Sequence, residues 1–189
     1  MKPLCFERKI LSQGELDGAC FIYAIANAFL CLTGRRPTQH KWDKAIDVLP
    51  FKEDFLKGGT GTERCFDSET NMGDVVSNVL QQFSIGTKIN KFEVSFYPKV
   101  NNKQDIFNLI TYNALTIFCI DQEHWVVGSS FSKEEGILYI TCSSQLTENS
   151  LYYEKSDNEF GRPYNAFFKN KILNCKGTVF QIIQKNANQ

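Results

Sequence analysis

A cysteine that could act as a nucleophile stands at the head of a long apolar stretch. Cys20 begins "CFIYAIANAFLCLT", residues 20–33, and the small residues Gly18 and Ala19 come directly before it. The first turn of a helix carries partial positive charge and unsatisfied N–H groups, which stabilise a thiolate. Small neighbours would let a substrate carbonyl approach the sulfur. Cys20 is therefore a candidate nucleophile, the alternative being an ordinary buried thiol.

Such a nucleophile needs a base, and the chain has only two histidines to supply it. His40 lies in the polar stretch "PTQHKWDK", which predicts an exposed helix residue. His124 opens "HWVVG" after the turn-like "DQE", and the start of a strand lets a side chain lean over a cleft. The pattern favours His124 as the base. The alternative is a structural histidine that caps the turn through Asp121, and Trp125 either shields the pair from water or packs under the sheet.

The elements that would position these residues follow from hydrophobic periodicity. Helices are predicted at about 18–33, with Asp17 as N-cap and Gly34 and Pro37 as the stop, and at 39–48, 71–83 and 103–113. Strands are predicted at 91–97, 114–120, 124–131, 136–142 and 177–183. Residues 55–66 are predicted to form a glycine-rich rim beside a cleft and 148–165 a long polar loop. Helices followed by strands indicate an α+β domain with an antiparallel sheet.

Length and composition exclude several other classes of protein. The 189 residues suit one domain spanning 1–189, and 21 basic residues balance 21 acidic ones, which argues against nucleic-acid binding. The chain has seven cysteines without a CxxC pair and only two histidines. This pattern favours reduced thiols and argues against a metal site or another cofactor. Residues 19–32 are apolar except Asn27 but too short for a membrane span. The first residues lack an apolar leader, which predicts a cytoplasmic protein or one exported without a cleavable signal peptide.

The combination "Q…DGACFIYAIANA", then "HWVVG" about 100 residues later, then "LYITCSS", resembles the papain-like cysteine peptidases. In that family a cysteine heads the central buried helix, and a histidine begins a strand of the following sheet. The resemblance implies a papain-like fold with Cys20 as nucleophile and His124 as base. It also implies that Gln13 completes the oxyanion hole, although it lies seven residues before Cys20 where six is more usual.

One member of the family pattern has no match in this chain. The Asn or Asp that orients the histidine should stand near the end of the next strand, at about Cys142, and no carboxylate or amide is there. Cys142 itself, Ser143, Ser144 and Gln145 are candidates for orienting His124, and Asp121 could act from the other side. A Cys–His pair without a strong orienter can still work, because the third group fixes the tautomer and does not take the proton.

The resemblance implies a cysteine peptidase that cleaves an amide, peptide or isopeptide bond through an acyl-enzyme. Its compact size is similar to that of bacterial effector and toxin hydrolases, with a protein or peptide substrate and an inhibitor or immunity protein as a further partner. Two alternatives remain open at this point. One is a peptidoglycan amidase or other acyl transferase on the same fold, and the other is a catalytically degenerate papain-like binding module.

Overall fold

One antiparallel sheet with helices packed on it makes up the described part of this computed structural model. The structure describes residues 10–12, 19–56, 61–87, 91–100, 103–120, 124–143, 160–169 and 177–185. The helices within these ranges are α1 (Cys20–Thr33), α2 (Gln39–Asp47), α3 (Lys52–Leu56), α4 (Gly61–Asp67), α5 (Met72–Ser84) and α6 (Lys103–Leu109). The strands are β1 (Phe92–Val100), β2 (Ala114–Ile120), β3 (His124–Ser132), β4 (Ile137–Thr141), β5 (Ala166–Lys169) and β6 (Gly177–Gln184).

The strands lie in the order β1-β6-β2-β3-β4-β5, and every neighbouring pair is antiparallel. One face packs against α1, and α5 and α2 complete that layer; the other face packs against α6. Because side chains alternate along a strand, Trp125 and Val127 of β3 face α1 while Val126 faces the opposite side. The α+β class with an antiparallel sheet is therefore confirmed.

Helix α1 occupies the centre of the fold, as its apolar composition predicts. Eleven of its 14 residues are buried, and it packs on β2 and β3. The predicted stop is confirmed: Gly34 takes the left-handed conformation, with φ of 67°, and its N–H donates to the carbonyl of Leu30 at 2.8 Å. The predicted start, with Asp17 as N-cap, is not confirmed, because Ala19 is the N-cap and Cys20 is the first helical residue. Asp17 lies outside the described residues.

The polar residue inside α1 has a structural partner. The Asn27 side-chain oxygen accepts from the Leu11 N–H at 2.8 Å, and its amide group donates to the Leu11 carbonyl at 2.9 Å. Asn27 is fully buried, so both bonds satisfy groups that would otherwise be costly to bury. They hold residues 10–12 against the central helix, just before Gln13 in the chain.

Two expectations about the elements were wrong, and one strand was not predicted. Residues 55–66 are not a simple loop, because α3 and α4 fall in and around this stretch and bury Phe55 and Cys65. The helix predicted at 103–113 ends at Leu109, since Thr111 and Ala114 exchange backbone hydrogen bonds in a turn that leads into β2. Strand β5 follows the predicted polar loop and was not predicted; it has four residues and pairs with β4 at the edge of the described sheet.

Candidate active site

Cys20 begins α1 at the helix end where backbone N–H groups point outward. The residue is 9% exposed and belongs to the apolar cluster on the α1 face of the sheet. The next residue, Phe21, is fully buried, and its ring meets the Trp125 ring edge-on with centroids 4.8 Å apart. The N-terminus of α1 is therefore fixed against the beginning of β3.

His124 is the first residue of β3, where it pairs with Ile120 of β2 and is half-buried. Its neighbour Trp125 packs against Phe21, and Phe66 of α4 stacks in parallel on the outer side of the indole at 5.7 Å. Trp125 thus packs between helix and sheet, as one of its two predicted roles requires. The Phe21–Trp125 contact brings the segments of Cys20 and His124 to the same end of the sheet.

The hydrogen bond that the structure gives to the His124 ring joins it to Cys142. His124 Nε2 and Cys142 Sγ lie 3.1 Å apart. Cys142 directly follows β4, is 2% exposed and belongs to the cluster on the face opposite α1. Among the described hydrogen bonds, the ring is thus paired with Cys142 and not with Cys20. The Cys20–His124 pair stays a prediction, whereas Cys142 contacts the ring as one of the proposed orienters would.

Of the other predicted site residues, Ser143 is buried beside Cys142. Gln13, Asp121, Ser144 and Gln145 lie outside the described residues. His40 is exposed on α2, as its polar surroundings predict.

Burial sets the protonation state of the candidate base. Removing the imidazole from water lowers the pKa of His124 below its usual value, because the charged form loses hydration. A ring that titrates below its ordinary range is neutral at pH 7. One ring nitrogen is then a hydrogen-bond donor and the other an acceptor, so the ring can take up a proton.

A segment that sequence reasoning assigned to a polar loop holds Cys142 in place. Asn165 accepts a hydrogen bond from the Cys142 N–H and donates one to the Cys142 carbonyl, both at 2.8 Å, while its own N–H donates to the Ile140 carbonyl at 3.0 Å. Asn165 thereby continues the pairing of β4 with β5 by one step. The backbone of Cys142 is fixed independently of its side chain.

Arg162 anchors the same segment and was also missed. The residue is 3% exposed, and its guanidinium donates at 2.7 to 2.9 Å to four backbone carbonyls, those of Thr111, Tyr112, Ala114 and Ser129. Burial lowers the pKa of Arg162 to about 10, so the group is still cationic at neutral pH. A charged residue in "FGRPYN" has no apolar periodicity around it, so no signal in the sequence distinguished it from a solvated arginine.

Cys31, on the same helix as Cys20, provides a contrasting thiol. It is buried near the Thr141 hydroxyl, with the sulfur 3.6 Å from Thr141 Oγ1 and 3.8 Å from the Pro163 carbonyl oxygen. Burial raises the pKa of the Cys31 thiol to about 11. The thiol is therefore protonated and unreactive at neutral pH.

The raised pKa of Cys31 predicts a loss of stability in alkali. In the unfolded chain the thiol ionises at lower pH than in the folded protein, so stability is full below about pH 9 and falls by roughly 3 kcal/mol as pH rises to about 11. Urea unfolding of wild type and Cys31→Ser at several pH values measures this difference. We expect the difference in free energy of unfolding between wild type and Cys31→Ser to narrow or reverse in alkali. A difference that stays constant with pH would contradict the raised pKa of Cys31.

The five cysteines in the described part of the chain form no disulfide: Cys20, Cys31, Cys65, Cys119 and Cys142. The described residues contain no cluster of three or more His, Cys, Asp or Glu side chains suited to a metal ion. Within them, no helix combines the length and apolar character needed to cross a membrane.

Comparison of the chain with family models, with curated proteins and with solved structures gives no match.

Proposed function

We propose that the protein is a papain-like thiol hydrolase in which Cys20 attacks an amide or peptide carbonyl and His124 transfers the proton. The observation that carries the proposal is the contact between Phe21 and Trp125, the residues that follow Cys20 and His124 in the chain. A Cys–His mechanism needs two distant segments held together at one place. A buried helix that starts with Cys20 and packs on an antiparallel sheet is consistent with the papain-like arrangement.

The proposal requires one movement of the imidazole. The ring now contacts Cys142, on the face of the sheet away from α1. His124 is the first residue of its strand, and the mechanism requires a rotation of its side chain that turns Nδ1 toward Cys20 while Nε2 stays beside Cys142. Such rotamer changes are fast compared with typical turnover.

The neutral imidazole favours a general-base start. His124 accepts the thiol proton as the Cys20 sulfur bonds to the carbonyl carbon, and the oxyanion accepts hydrogen bonds from the Cys20 N–H and the Gln13 side chain, each worth about 3 kcal/mol. The imidazolium then protonates the leaving amine, the carbon–nitrogen bond breaks and a thioester remains. Water, deprotonated by His124, attacks the thioester carbon, releasing the acid and restoring the thiol.

The substrate that we propose is a protein or peptide, with an effector or toxin role and an inhibitor or immunity protein as partner. A peptidoglycan amide would undergo the same chemistry. This choice rests on the resemblance in sequence and on the compact size of the chain.

Substrate profiling tests the proposal. Wild type and Cys20→Ala are incubated with a peptide library, a ubiquitin conjugate and purified peptidoglycan, and mass spectrometry detects newly released amines. We expect products from wild type, in the presence of EDTA as well, and none from Cys20→Ala. Cys31→Ala, which removes a thiol from the same helix, should keep the activity. Equal products from wild type and Cys20→Ala would contradict the proposal, and no product from either would favour the binding module.

A further inference from the structure

We propose that Cys142 is a positioning residue for His124, and that its thiol, which can both donate and accept a hydrogen bond, lets the ring proton occupy either nitrogen. The inference deepens the proposed function and rests on it, because it concerns the group that holds the proposed base. It replaces the missing amide or carboxylate of the family pattern with a thiol that behaves differently.

The contact is close and sheltered. Cys142 Sγ lies 3.1 Å from His124 Nε2, and Cys142 is 2% exposed, so water competes poorly for the sulfur. In the described part of the chain, the titratable side chain in contact with the ring is this thiol. The hydrogen-bond partner of Nε2 therefore affects which of the two nitrogens carries the proton in the neutral ring.

The thiol allows two arrangements that differ in catalytic competence. When Nε2–H donates to the sulfur, Nδ1 is an acceptor and can take the proton of Cys20. When the S–H donates to Nε2, the ring proton lies on Nδ1, and that nitrogen can accept nothing. A carboxylate, or an amide oxygen facing Nε2, permits only the first arrangement. Cys142 therefore leaves a fraction of the molecules in the unproductive tautomer.

The position of the sulfur is fixed by contacts that do not involve the side chain. Asn165 binds both the N–H and the carbonyl of Cys142 at 2.8 Å, and the four carbonyl contacts of Arg162 anchor the segment that carries Asn165. Substitution of the Cys142 side chain leaves this backbone clamp in place. Asparagine is close to cysteine in volume, so Cys142→Asn offers Nε2 an amide oxygen at nearly the same site.

The direct test is the tautomer of His124, read from the nitrogen chemical shifts of its ring by NMR. The chain has two histidines, so a His40→Gln background leaves a single imidazole to observe. We expect both tautomers in wild type and a larger share of the Nε2–H form in Cys142→Asn, because an amide oxygen accepts a hydrogen bond more strongly than a thiol sulfur. Identical shifts in the two proteins would overturn the inference. This readout does not depend on any activity of Cys20.

A kinetic readout links the tautomer to reactivity. The rate constant for alkylation of Cys20 by iodoacetamide is followed against pH. At neutral pH we expect Cys142→Asn to react severalfold faster than wild type and Cys142→Ala about tenfold slower, with a shifted pH profile. Cys142→Ser has a hydroxyl that also donates and accepts a hydrogen bond, so it should keep the wild-type pH profile of alkylation. It is compared with Cys142→Asn if Cys142→Ala does not fold. Cys65→Ala is the control for loss of a buried thiol elsewhere.

The two proposals fail in different ways. If wild-type Cys20 reacts no faster than the other cysteines, the proposed hydrolase fails, while the tautomer measurement still decides the role of Cys142. If Cys20 reacts selectively but Cys142→Asn and Cys142→Ala both keep the wild-type rate and pH profile, the positioning role is wrong.

Discussion

His124→Ala is expected to lower kcat for an amide substrate by about 10³-fold at neutral pH. The imidazole takes the thiol proton during attack and returns it to the leaving amine, so its removal affects both halves of the acylation. KM should change little, because the ring contributes to proton transfer more than to substrate binding. Steady-state kinetics on a substrate identified by profiling measure both constants.

The pH dependence of kcat/KM in the wild type should also show that His124 is the base. Because the base must be neutral, kcat/KM falls as pH drops through the pKa of His124, which burial holds below the ordinary histidine value. Activity should thus persist to more acidic pH than for an exposed histidine. His40→Ala, at an exposed position of α2, is the matched control and should retain wild-type rates. A loss of less than tenfold in a folded His124→Ala protein would show that another group is the base.

Arg162→Met is expected to lower the free energy of unfolding by about 3 kcal/mol or more. The substitution keeps much of the apolar stem but removes the guanidinium donor from the carbonyls of Thr111, Tyr112, Ala114 and Ser129. The carbonyls of Thr111 and Ala114 keep their backbone partners, so the expected cost comes from the loss of four hydrogen bonds to a charged donor. Urea unfolding at neutral pH, followed by circular dichroism, measures the change.

Two further arginine variants make that result specific. Arg35→Met changes an exposed arginine and should alter stability by less than about 0.5 kcal/mol. Arg162→Lys keeps the charge but concentrates its donors at one atom, so it should recover only part of the loss. If Arg162→Met were as stable as Arg35→Met, the guanidinium contacts would not contribute to the fold as described.

Most of the sheet and the central helix could be predicted because their signals are local. The run 114–120 is apolar and bounded by turn residues, and it forms β2 with those limits. Helix α1 ends at Gly34 because that residue readily takes a positive φ. The candidate nucleophile and base were found in the same way, since each stands at the start of a strongly apolar segment.

The rest depends on contacts between distant residues of different type. Arg162 and Asn165 stand in a polar stretch, and only the folded chain shows their side chains satisfying backbone groups. The pairing of His124 with Cys142 likewise joins two residues that are 18 positions apart. The sequence named Cys142 as one of several candidate orienters, and the contact itself is seen in the folded chain. Helices α3 and α4 are short, and the burial of Phe55 and Cys65 outweighs the weak local preference of a glycine-containing stretch.

Alkylation of the native protein by iodoacetamide at neutral pH, with peptide mapping of every cysteine, tests the central claim most directly. The account predicts that Cys20 reacts first in wild type, that its rate falls sharply in His124→Ala, and that Cys31 is among the slowest to react because burial raises its pKa to about 11. Preferential modification of Cys142, or equal slow modification of all the cysteines, would contradict it.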